Sequence, residues 1–281
     1  MRWLDPDNGP AGDLAPPPPG HPRHDWLLAS SPRTGSTWLG RLLSAAGDVG
    51  QPKEWLNGMQ VRDLQARLAP SPASRWVASR LGARAAPLLL WAPWTDAALA
   101  GYLDRVRSVR TSPSGWFAIK LHAHHRRHWF EAAGRRLDGA LAPALVVRLR
   151  RRDALAQAVS WARAAQSGAW ASHQRAYAAP RYDGRRIAAC LHAIARDDAD
   201  WTAWLDARPA LPRMYIDYED VVADPLAAVA HVRAALGVGP WNGPLPDVGM
   251  ARQADGVSLA WQARFRAEFG GGTGRPTGAN G

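Results

Sequence analysis

A short apolar run, Trp26-Leu27-Leu28-Ala29-Ser30, leads directly into Ser31-Pro32-Arg33-Thr34-Gly35-Ser36-Thr37. Trp38, Leu39, Leu42 and Leu43 follow at helical spacing, and Gly47 closes the stretch. No other feature restricts the fold so strongly. An apolar run bounded by turn residues reads as a buried strand, and the 3.6-residue period after it reads as a helix. A strand, a tight Gly-containing loop and a helix open a parallel α/β sheet.

The rest of the chain repeats the alternation. Strands are predicted over 116–121, 144–149 and 214–218. Asp153 is positioned to cap a helix running through Ala156, Val159 and Ser160 towards Gln166. A long helix is predicted over 185–205, carrying the single cysteine, Cys190, as a buried thiol. Pro225 opens another helix, which ends near Gly237. The expected fold is three-layer α/β/α with a mainly parallel central sheet. Residues 1–24 include Pro16 to Pro19 and read as a flexible arm, and the Gly-rich 270–281 reads as a disordered tail. One domain is expected over 25–269.

The loop between strand and helix carries the chemistry. Backbone amides at a helix N-terminus attract phosphate and sulfate. Gly35 allows close approach of an anion, Ser36 and Thr37 add hydroxyl donors, and Arg33 adds a charged, planar fork of donors. No Walker A pattern is present, because no Lys follows the glycine. A second basic cluster, Arg148-Leu149-Arg150-Arg151-Arg152, ends the strand over 144–149, with Ser160 two helical turns beyond Arg152.

Thirty-five Lys and Arg against 24 Asp and Glu give a net charge of +11, which suits an anionic partner. No zinc-finger pattern or nucleic-acid recognition module accompanies that charge, so no nucleic-acid partner is expected. One cysteine excludes an intramolecular disulfide and a multi-cysteine zinc site. His122, His124, His125 and His128 lack an obvious completing ligand, so no metal is expected. The sequence shows no signal-peptide pattern, and its longest apolar run, 85–94, falls short of a membrane span. A cytoplasmic protein without a transmembrane segment is the expectation.

Pro32-Arg33-Thr34-Gly35-Ser36-Thr37-Trp38-Leu39 resembles the 5′-phosphosulfate loop of sulfotransferases. Gly47, Gly50, Pro52 and Glu54 resemble a Gly-x-x-Gly-x-Pro-x-Glu segment of the bacterial family of trehalose 2-sulfotransferase, with Trp55-Leu56 where that family has Tyr-Phe. Arg152 to Ser160, with Gln157-Ala158-Val159 between, resembles the family's 3′-phosphate grip, and Arg151 is close enough to share or replace Arg152. Gln166, Gly168 and Trp170, then Tyr218-Glu219-Asp220 with Asp224-Pro225, then Arg252-Gln253-Ala254-Asp255 with Ser258, Trp261 and Phe265, continue the resemblance in order.

The resemblance implies a P-loop-like sulfotransferase fold and 3′-phosphoadenosine 5′-phosphosulfate (PAPS) as sulfuryl donor, without a metal. It implies transfer to a hydroxyl of a small carbohydrate or glycolipid-type acceptor, and a homodimer. Arg33, Thr34, Gly35, Ser36, Thr37, Trp38, Arg151, Arg152, Ser160 and Arg252 are its expected donor-binding residues. Glu54 is the expected base, as in the trehalose-type family. His122 is the second candidate, since Lys120-Leu121-His122 resembles the Lys-Thr-His of cytosolic sulfotransferases. Glu54, Trp55, Lys120 and Trp170 are the expected acceptor contacts, and the poorly matched 60–114 is the expected acceptor-side cap. A P-loop-like phosphotransferase and a non-enzymatic polyanion-binding module are the alternatives.

Overall fold

The computed structural model describes residues 6–68, 94–170, 174–249 and 255–269. Its sheet has four parallel strands: β1 (His24–Ser30), β2 (Trp116–His122), β3 (Pro143–Arg150) and β4 (Arg213–Asp217). Their order is β2-β1-β3-β4. Each strand overlaps the run predicted for it, since a strand covered on both faces needs apolar residues throughout.

Side chains alternate across β1. Trp26 and Leu28 join a core with Leu39, Leu42 and Leu43 of helix α1 (Ser36–Ala45). Leu27 and Ala29 join the opposite core, built with α2 (Gly58–Leu68) and α3 (Asp96–Arg110). The period of two along the strand thus forms two helical layers around one sheet. A third cluster joins α4 (Ala154–Ser167) and α5 (Gly184–Asp206) to the last described helix through Trp261 and Phe265. Asp153 caps α4 as expected, its side chain accepting from the Ala156 amide. Cys190 on α5 is only partly buried.

Two expectations are corrected. The free arm over 1–24 does not describe residues 7–14, which are docked on the body. The buried Arg110 guanidinium donates to the carbonyls of Asp7, Gly9 and Gly12. Asn8 donates to Asp63 at 3.1 Å, and Asp13 pairs with both terminal nitrogens of Arg67 at 2.7 and 2.8 Å. Proline and glycine there break regular structure without preventing these bonds. Most of the described part of the cap expected over 60–114 is core instead: Val61, Leu64, Leu99, Tyr102, Leu103 and Val106 form one layer of it. Residues 69–93 and the expected tail 270–281 lie outside the described residues. Among the described residues no helix is long and apolar enough to cross a membrane.

Candidate active site

The chain leaves β1 towards β2 on one side and leaves β3 towards β4 on the other. A crevice opens at such a reversal, beyond the carboxyl ends of the strands, and ligands bind there. Here the loops after β1 and β3 border a cavity of about 1170 Å³.

The β1 loop is folded as an anion cradle. Gly35 has φ 81° and caps α1, and Arg33 is left-handed at φ 66°. A side chain on Gly35 would stand 2.4 Å from Cδ2 of Tyr218, so only glycine fits. Beyond it the first turn of α1 presents amides left over by intrahelical bonding. Two buried contacts fix the loop from behind: Thr34 Oγ1 donates to Ser31 O at 3.0 Å, and Gln157 Nε2 donates to Pro32 O at 2.7 Å.

Around the cradle, Arg33 Nε donates to Ser160 Oγ at 2.9 Å, and Arg33 also donates to the Trp170 carbonyl. Arg151 donates to Arg33 O at 3.2 Å, and its guanidinium lies 4.6 Å from the Tyr218 ring centre. Burial, and then the neighbouring Arg151 charge, lower Arg33 to about 10. Two guanidiniums crowded at one helix N-terminus fit an anionic group that would relieve their repulsion.

The second half of the site is brought in by β2. Lys53 O accepts from Lys120 N at 2.8 Å, so residues 53–55 run beside β2 like a fragment of a further strand. Gly50 permits that approach at φ 75°; a Cβ there would meet Trp116 O at 2.7 Å. Trp55 then locks the segment. It is fully buried, its indole N–H donates to Ala118 O at 2.9 Å, and its carbonyl accepts from Tyr102 OH at 2.6 Å.

Glu54 is held between these anchors and faces the cavity. Its Oε1 lies 2.9 Å from Lys120 Nζ and 3.2 Å from His122 Nε2, and its Oε2 accepts from Asn57 Nδ2 at 3.0 Å. Burial pushes this carboxyl up, but Lys120 and His122 outweigh it and hold Glu54 well below the usual carboxylate range. Lys120 also donates to Thr37 Oγ1 at 3.0 Å, linking the Glu54 segment to the cradle. His122 Nδ1 is turned to Ser30 Oγ at 3.0 Å. A carboxylate only accepts, so Nε2 carries a proton and donates to Glu54.

Arg33, Gly35, Ser36, Thr37, Trp38, Glu54, Lys120, His122, Arg151, Ser160 and Trp170 all line one cavity. Three expected residues stand elsewhere. Trp55 offers no face to a sugar, because its ring is spent in the core beneath Glu54. Arg152 points outward, 55 % exposed, drawn by Asp217 at the end of β4 and by Glu219 and Asp220 beyond it, so Arg151 takes the cavity position. The Thr34 side chain supports the loop from below rather than lining the cavity. Arg252 lies outside the described residues.

Sequence reasoning missed Asn57 and Ser30, which orient Glu54 and His122. Asn57 was legible in principle, three residues beyond a candidate base. Ser30 was not, because its partner is 92 residues away. Among the described residues no three His, Cys, Asp or Glu side chains converge to hold a metal.

A family model described as Stf0 sulphotransferase matches residues 25–268. The chain is 27 % identical over 261 residues to a trehalose 2-sulfotransferase of Mycobacterium tuberculosis (strain ATCC 35801 / TMC 107 / Erdman), covering 86 % of this chain and 94 % of that one. It is 26 % identical to a trehalose 2-sulfotransferase of Mycolicibacterium smegmatis over 262 residues, again 86 % and 94 % of the two chains. The sulfotransferase domain of the Synechococcus PCC 7002 olefin synthase superposes with a TM-score of 0.48 at 17 % identity, over 90 % of this chain and 91 % of that one.

Proposed function

The chain belongs to the Stf0 sulphotransferase family and is a transferase, and from that premise we propose that it moves a sulfuryl group from PAPS to a hydroxyl of a polyhydroxylated, carbohydrate-type acceptor. One observation carries the reading. The cradle at α1, the Arg33–Arg151–Ser160 cluster and the Glu54–Lys120–His122 group share one cavity, joined by the bond from Lys120 to Thr37.

PAPS, when bound, supplies a sulfuryl group on a good leaving phosphate. The amides of the α1 first turn, with Ser36 and Thr37, hold the 5′-phosphate side. Arg151 and Ser160 hold the 3′-phosphate, and Arg33 stabilises negative charge on the transferring oxygens. Transfer forms a bond from the acceptor oxygen to sulfur and breaks the bond from sulfur to the phosphate oxygen. The acceptor proton goes to Glu54. This carboxylate is ionised at neutral pH, and its orientation is fixed from three sides. His122 positions Glu54 through its protonated Nε2 rather than competing for the acceptor proton. Lys120 balances the charge between Glu54 and the cradle.

Calorimetry with 3′-phosphoadenosine 5′-phosphate (PAP) and with ATP, both without Mg²⁺, tests the reading. PAP is expected to bind far more tightly than ATP, and Arg151→Ala to weaken it roughly 10- to 100-fold. A preference for ATP would sink the proposal and favour a phosphotransferase.

A further inference from the structure

The segment around Asp7 to Leu14 stands outside the residues matched to the family, which begin at 25. It nevertheless forms one wall of the catalytic cavity, through Asp7, Ala11 and Gly12. Its attachment is built, not incidental. Arg110 has a fully buried side chain whose terminal nitrogens serve the carbonyls of this segment. Gln51, itself a cavity residue, donates to Gly12 O at 3.0 Å and accepts from Arg110 at 3.0 Å. Asn8 and Asp63 are both buried and bonded to each other, and Leu14 N donates to Val109 O at 3.0 Å. Such bonds fix the backbone of a strap that has no regular structure beyond two short 3₁₀ turns.

The strap carries a charged pair that lines the same cavity as Glu54. Asp7 Oδ2 lies 3.4 Å from Lys53 Nζ and 4.0 Å from Arg41, and Lys53 is the residue preceding Glu54. The Asp7 side chain remains about half exposed towards the cavity. A carboxylate beside an ammonium suits a neighbouring pair of hydroxyls, one donating to the carboxylate and one accepting from the cation.

We propose that this strap is an acceptor subsite, in which Asp7, with Lys53, binds a second hydroxyl of a polyhydroxylated acceptor whose first hydroxyl is sulfated at Glu54. The inference rests on the sulfotransferase reading and deepens it. It adds a specificity-determining residue from outside the family-matched region.

The test uses the full chain with PAPS and four probes: trehalose, glucose, octyl glucoside and the mono-alcohol butanol. Asp7→Ala is a partly exposed substitution that leaves the Arg110, Asn8 and Asp13 bonds in place. It is expected to raise KM for the polyhydroxylated probes roughly 10- to 100-fold with kcat within about threefold. PAP affinity should stay unchanged. Asp7→Asn is expected to fall between, and removal of residues 2–10 to match Asp7→Ala or exceed it. An unchanged KM overturns the subsite, as does an equal loss with butanol or a parallel loss of PAP affinity. A wild type that binds PAP but transfers to none of the polyhydroxylated probes also overturns it. A wild type that does not bind PAP instead overturns the sulfotransferase reading, and the subsite with it.

Discussion

Replacing Glu54 with Gln separates proton transfer from site assembly. Three donors face this carboxylate: Lys120 at 2.9 Å, His122 at 3.2 Å and Asn57 at 3.0 Å. A glutamine keeps the volume and leaves one oxygen, which can take the place of Oε1 and satisfy Lys120 and His122. Its NH₂ then meets Asn57, whose amide must turn over or lose a bond. One frustrated donor and one lost charge cost about 1–3 kcal/mol of stability, within what a folded chain tolerates. Donor binding should not suffer, because the change removes a negative charge beside an anion site; PAP should bind as tightly as before or more so. Turnover, by contrast, loses its base, worth roughly 10²- to 10⁴-fold. The assay is single-turnover transfer of labelled sulfuryl at saturating acceptor, paired with PAP calorimetry on the same preparation. His122→Asn, tested alongside, should lose much less, since His122 already donates to Glu54. Transfer by Glu54→Gln within tenfold of wild type, or a larger loss in His122→Asn, would refute the assignment of the base.

Gly35→Ala should weaken PAP binding, because the new methyl stands 2.4 Å from the Tyr218 ring. Adding Tyr218→Ala removes the clash but leaves the left-handed cost of about 1–2 kcal/mol, so affinity should recover only in part. Wild-type affinity in the single variant would contradict this account of the loop. Trp55→Ala should destabilise the chain by about 3–5 kcal/mol, seen as a fall in Tm, whereas Trp170→Ala at 45 % exposure should leave Tm nearly unchanged. Equal effects would place the two rings in the same environment, against the structure. Acid should destabilise the fold through two buried groups. His125 is driven well below 6.5, first by burial, so its contribution is complete above about pH 6.5 and is lost as pH falls towards its folded value. Glu54 is also depressed, so its contribution is complete above its ordinary 4.5 and disappears as pH falls through its lower folded value. Thermal melts between pH 7.5 and 5 should show a falling Tm, and His125→Gln should flatten it; an unchanged slope would exclude His125 as the source.

The strands, the first loop and the capped helix α4 were legible because each depends on neighbours in sequence. The apolar run of β1, Gly35 at the head of α1 and Asp153 three residues before its amide partner all act locally. The parts misread depend on distant partners. Whether an aromatic after Glu54 serves a ligand or the core is decided by Ala118 and Tyr102, far along the chain. Choosing between Arg151 and Arg152 needs the carboxylates at and beyond the end of β4, which claim one and leave the other to the cavity. The strap resembles a linker in composition, and only the buried guanidinium of Arg110, about a hundred residues on, gives it a place.

The division of labour among the strands bears on how such a chain can diverge. On the proposed reading, the anion-holding groups hang from β1 and β3, whereas the proton acceptor is carried by β2 and the short segment tied to it. A substitution near Asp7 or Asn57 therefore meets a different set of neighbours from one near Gly35 or Ser160. On that reading, new acceptors can be explored by drift along one rim while a common donor keeps the opposite rim constant. Descendants of such a chain would be expected to keep their donor and change their acceptor.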